Sequence, residues 1–135
     1  MLKGRTEMVQ TSRITIGGKE YAIRCSIATV EYFERLTGTK FADVLSEILK
    51  VNRLVNEQGE DIAEHLDLLM DMQVKVIKMA YCMIVEANKK GENAGFTLAY
   101  PTLEDFMSDI ESIDPSVFKG VLTVAQGVFP RQVQN

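Results

Sequence analysis

Between Arg13 and Arg24, apolar and polar residues alternate on either side of Gly17-Gly18, as Arg13-Ile14-Thr15-Ile16 and then Lys19-Glu20-Tyr21-Ala22-Ile23-Arg24. A period of two predicts strands, and a Gly-Gly pair accepts the positive φ angles of a tight hairpin turn. With a two-residue turn, Ile14 falls opposite Tyr21 and Ile16 opposite Lys19, so Ile14, Ile16, Tyr21 and Ile23 share one face. A two-stranded hairpin is marginal in water, so that face has to rest on other parts of the chain.

Beyond the hairpin the period changes to that of helices. Ser26 is placed to cap a helix over Ile27 to Leu36, and Gly38 stands where a left-handed C-terminal residue is wanted. Thr39 is placed to cap a second helix, in which Phe41, Val44, Leu45, Ile48, Leu49 and Val51 recur at helical spacing until Asn56 to Gly59 interrupts it. A third, from about Asp61 to Lys90, contains neither proline nor glycine. Gly91 to Tyr100, followed by Pro101, reads as a long surface loop. Thr102-Leu103-Glu104-Asp105 resembles a capping box with Asp in place of Glu and opens a short helix to about Glu111. Asp114-Pro115 opens the last helix, which carries Val117, Phe118, Val121, Leu122 and Ala125 toward Gly127. The predicted fold is mainly α (α+β): an N-terminal two-stranded hairpin followed by about five helices packed around a long central one. No composition shift divides the chain. Residues 12–129 read as one hairpin-plus-helical domain, between a flexible arm at 1–11 and a flexible polar tail at 130–135.

The long helix has an unusual cross-section. At about 100° per residue, Asp67, Asp71, Lys75, Lys78, Cys82 and Glu86 collect on one ridge, and most of the remaining arc is apolar. A surface helix of a monomer shows a narrower stripe, so this one is either central in its own domain or covered by another chain. Met72, Val76, Met79 and Met83 form a line within the arc. Methionine adapts to several shapes, so the line is a candidate partner-binding or self-association face; the simpler reading, which carries more weight, is that it fills irregular gaps around a central helix.

Composition narrows the chemistry. The chain has 135 residues, 15 basic and 19 acidic side chains and a formal charge of −4, a balance that disfavours binding to nucleic acid phosphates. One histidine, His65, and two distant cysteines, Cys25 and Cys82, offer no zinc or iron–sulfur ligand set. No apolar run is long enough for a membrane span or a signal peptide. Asp61, Glu64 and His65 read as an acidic helix start rather than an acid–base group, because no nucleophile or substrate site accompanies them. Cys25 reads as a half-buried filler. Glu104, Asp105, Asp109, Glu111 and Asp114 lack calcium-loop spacing and read as a solvated face with helix caps. No cofactor is expected, and an enzyme is the least favoured class.

The run Ile14-Thr15-Ile16-Gly17-Gly18-Lys19-Glu20-Tyr21-Ala22-Ile23-Arg24, then Ser26-Ile27, then Phe33-Glu34-Arg35-Leu36-Thr37-Gly38, resembles the start of tail assembly chaperones of long-tailed phages and prophages of Gram-positive bacteria. The resemblance covers roughly residues 12–55. It implies a non-enzymatic helical protein that binds the long tape measure protein, keeps it soluble and assists assembly of the tail tube around it. The tail tube protein is then a second partner, and self-association is expected. The work is done in the host bacterial cytoplasm, and the protein leaves before the virion is mature. Many family members are made in two lengths by a translational frameshift, which would put Pro130 to Asn135 near the branch point. The family has no catalytic residues to transfer and no motif that fixes partner-binding positions. The face proposed here, Met72, Val76, Met79 and Met83, therefore rests on the residue pattern. The alternative is a structural completion or connector subunit retained in the virion, and a third reading is a small helical regulator of a host protein.

Overall fold

A computed structural model describes residues 9–58, 66–111 and 113–128, residues 55–58 by their helical backbone alone. The predicted arm over residues 1–8, the tail at 130–135 and the group Asp61, Glu64 and His65 lie outside the described residues.

Strands β1 (Gln10–Ile16) and β2 (Lys19–Cys25) form the hairpin. Ile14 pairs with Tyr21 and Ile16 with Lys19 in the predicted register, and Gly17 and Gly18 turn at φ 60° and 81°. Pairing continues to Gln10 opposite Cys25, so Gln10 and Thr11, expected in the flexible arm, belong to β1. Ile14, Ile16, Tyr21 and Ile23 are all buried.

Six helices follow among the described residues: α1 (Ile27–Thr37), α2 (Phe41–Gln58), α3 (Leu66–Lys89), α4 (Phe96–Ala99), α5 (Leu103–Asp109) and α6 (Pro115–Val128). Helix α1 starts after Ser26, whose backbone N–H donates to Thr29 Oγ1 at 3.0 Å. It ends at Gly38 in the left-handed region, whose N–H bonds the Glu34 carbonyl at 2.9 Å. Helix α2 is capped differently from the expectation. The Thr39 hydroxyl bonds Thr37, and the N–H of Phe41 is taken by the Glu34 carboxylate of the preceding helix at 2.9 Å. Glu34 thus satisfies an orphan donor from outside the helix that owns it and places negative charge at a positive helix end. Helix α5 has the expected cap, Thr102 Oγ1 accepting from the Asp105 N–H at 3.1 Å. Helix α6 begins at Asp114-Pro115 as expected but runs through Gly127 to Val128.

The hairpin lies between helices, with β1 against α6 and β2 against α3. Gly120 permits the first contact: a Cβ there would stand 2.8 Å from Ile14 Cγ2. Helix α3 touches β2 and every other helix, and an unbroken run from Met79 to Ala87 is buried. One apolar cluster joins residues of the hairpin and all six helices.

The segment 91–100 is only partly the surface loop expected. It contains α4, and Phe96 is 3% exposed. The Phe96 ring meets Tyr21, Tyr81, Tyr100 and Phe106 at centroid distances of 5.4–5.7 Å. The pairs with Tyr21 and Phe106 are edge-to-face and those with Tyr81 and Tyr100 are tilted, and edge-to-face pairs add to the free energy of burial. The segment is pinned because Phe96 is the residue on which the hairpin, α3 and α5 converge.

Candidate functional site

The line proposed from the sequence lies in the core. Met72 is 6% exposed, and Val76, Met79 and Met83 are fully buried. These side chains fill the space around α3, and none is open to a partner in this fold. The apolar arc resolves as an internal surface along the second half of the helix, where neighbours enclose it on every side.

The charged ridge is likewise divided. Asp67 and Asp71 are exposed, and Lys75 pairs with Asp71 at 2.7 Å and with Glu47 of α2. These two carboxylates, Asp71 first, raise the Lys75 pKa above its ordinary value. Further along, Cys82 and Glu86 are buried. Glu86 keeps a partner in Lys89 at 3.2 Å, and the Lys89 ammonium lies 5.5 Å from the centre of the Tyr32 ring. Burial, helped by the Glu86 carboxylate, pushes both thiols, Cys25 and Cys82, up to about 12. They are neutral at physiological pH and carry no nucleophilic character. Cys25 is fully buried rather than half-buried.

The first half of α3 presents what the second half hides. Leu66, Met70 and Val74 are 53%, 58% and 37% exposed, and they follow one another at intervals of four residues. Four-residue steps place them within an arc of about 80°, a line down one side of the helix. Half-buried Ile77 extends the line toward the covered part. On another side of α3, Leu68 meets Val51 and Leu54 of α2 in a shallow apolar groove rimmed by Lys50 and Arg53. Both surfaces lie where the C-terminal end of α2 meets the N-terminal half of α3. Adjacent exposed apolar side chains on one helix mark an interaction surface more reliably than single ones do. The signal for Leu66, Met70 and Val74 was present in the helical period. What the sequence lacks is any sign of where the covering elements stop.

The acidic residues near the C-terminus act locally. Asp105 and Asp114 serve the helix starts, Asp114 Oδ1 accepting from the Ser116 N–H at 3.2 Å, and Asp109 accepts the Tyr100 hydroxyl at 2.9 Å. Among the described residues no three His, Cys, Asp or Glu side chains form a group that could hold a metal ion. No helix among them is long and apolar enough to cross a membrane. Comparison with known proteins finds no family model, no curated protein and no solved structure that matches this chain.

Proposed function

We propose that this protein is a phage or prophage tail assembly chaperone that binds an extended, helix-rich client, the tape measure protein, and keeps it soluble while the tail tube is built. The observation that carries the reading is the exposed line Leu66, Met70 and Val74 on a helix whose other end is locked into the core. A rigid helix with one open apolar stripe suits an amphipathic client helix lying alongside it. Each is about half exposed, so covering it contributes roughly 0.5–1.5 kcal/mol before the costs of association. The hairpin-then-helix opening over residues 14–38, which resembles that family, supports the same reading. The protein then works in the host bacterial cytoplasm, on a client that is still outside the finished particle.

Coexpression with the tape measure protein should raise the client's soluble fraction and allow both to be purified together. Replacing Met70 and Val74 by Glu should abolish this while leaving the helical circular dichroism and melting temperature intact. Unchanged client solubility and no copurification would overturn the reading. So would a stoichiometric amount of the protein in purified virions, which would favour a structural tail subunit instead. The pair Met79→Glu and Met83→Glu should unfold the chain, because it places two charges in the core.

A further inference from the structure

A second surface, remote in sequence from the exposed stripe, has the opposite chemistry. Between the outer side of the hairpin and the C-terminal end of α3 there is a cleft of about 320 Å³, lined by Arg13, Arg24 and Lys90 together with Thr11, Ser12 and Glu92. Three cations therefore share a small cleft on a chain whose formal charge is −4. One carboxylate lines the cleft with them, and Glu92 is engaged with Arg13 at 3.4 Å. Arg13 has a further partner in Glu20 at 3.7 Å. Among the described residues no carboxylate pairs with Arg24 or Lys90. Arg13 is thus compensated, while the like charges of Arg24 and Lys90 at one cleft are not, an arrangement that becomes favourable when an anion enters.

We infer that this cleft binds a tetrahedral oxyanion, either free phosphate or the phosphoryl end of a small molecule. Arg24 is half-buried at the cleft, so its planar fork is held with fewer alternatives than a fully exposed side chain has, and a guanidinium fork matches two phosphate oxygens. Lys90, exposed just beyond the end of α3, supplies a mobile point charge on the other side. Thr11, paired with Arg24 on the same face of the hairpin, adds a hydroxyl donor for a remaining oxygen. The volume is at the lower end of the range for small-molecule sites, which suits a single phosphoryl group with a short attachment. The inference is independent of the chaperone reading.

Isothermal titration of the intact chain with inorganic phosphate, and separately with glycerol phosphate, at ionic strength held constant with sodium chloride, tests it. Saturable one-to-one binding of either is expected. Arg24→Gln should weaken it by about tenfold or more, the scale of a lost charge-assisted bond. Lys90→Gln, at an exposed position, should weaken it to a smaller extent without affecting folding. Tighter binding of the monoester identifies a phosphorylated small molecule as the ligand; equal binding identifies free phosphate. No saturable heat with either compound, or affinity unchanged in both variants, would overturn the inference.

Discussion

Asn93 clasps the backbone of Ala22: its Oδ1 accepts from the Ala22 N–H and its Nδ2 donates to the Ala22 carbonyl, each at 2.8 Å. The same Nδ2 reaches the Ile84 carbonyl of α3 at 3.2 Å. One amide therefore does for β2 what a third strand would do at that residue, and it fastens the hairpin to the central helix. Asn93 adopts φ 53°, a left-handed conformation that asparagine tolerates better than most residues. Its position is itself held by Asn88, whose Nδ2 donates to the Glu92 and Asn93 carbonyls at 2.9 Å.

Replacing Asn93 by Ala should therefore cost about 2–3 kcal/mol in urea unfolding, because it leaves both Ala22 groups without partners and keeps a strained backbone. Asn93→Gly should be less damaging by about 1 kcal/mol, since glycine accepts the positive φ. Asn93→Asp keeps the acceptor but turns a carboxylate toward two carbonyls, and it should be no more stable than the alanine variant. Equal stability of the Ala and Gly variants would show that the hydrogen bonds alone matter.

Gly120 tests how closely α6 must approach β1. Alanine in a helix interior normally gains up to about 1 kcal/mol over glycine. Here the new Cβ would meet Ile14 Cγ2 at 2.8 Å, a branched methyl with little freedom to move. Gly120→Ala should lower the melting temperature, and Ile14→Leu, which lacks that methyl, should recover part of the loss in the double variant. Additive losses would argue against the contact.

The aromatic cluster predicts a contrast between two neighbours. Phe96→Ala should cost about 3–5 kcal/mol, whereas Leu98→Ala, at a position 87% exposed, should stay within about 0.5 kcal/mol. Chemical denaturation of the two variants measures both values directly.

The thiols predict the alkaline limb of stability. Each is pushed from an ordinary value of 9.0 up to about 12 in the fold, chiefly by burial. An acid that ionises more readily when unfolded draws the chain toward the unfolded state. Its contribution is complete below pH 9 and is lost progressively as the pH rises toward 12, at most on the order of 4 kcal/mol per thiol. Tyr81, also pushed up to about 12 by burial, acts in the same direction above pH 10. The double variant Cys25→Ala and Cys82→Ala should show a flatter decline between pH 9 and pH 11. In the native wild-type chain both thiols should resist iodoacetamide at pH 8, as read by intact mass.

What the sequence alone determined has a short range. Gly17-Gly18 and the alternation around it set the hairpin register, because a two-residue turn leaves one pairing that buries Ile14, Ile16, Tyr21 and Ile23 together. Gly38, Thr102 and Asp114-Pro115 marked helix ends, because caps act within four residues. Tertiary structure decided what depends on neighbours distant in the chain. Glu34 rather than Thr39 caps α2, because packing of α1 brings the carboxylate to the Phe41 N–H. Phe96 turns a glycine-rich stretch inward, because three other elements offer it aromatic partners. The methionine line and the stripe of Leu66, Met70 and Val74 look alike as helical patterns. They lie on nearly opposite sides of α3, and only the arrangement of the hairpin and helices around it makes the first a core and leaves the second exposed, since a period records which residues share a face and not which face other elements cover.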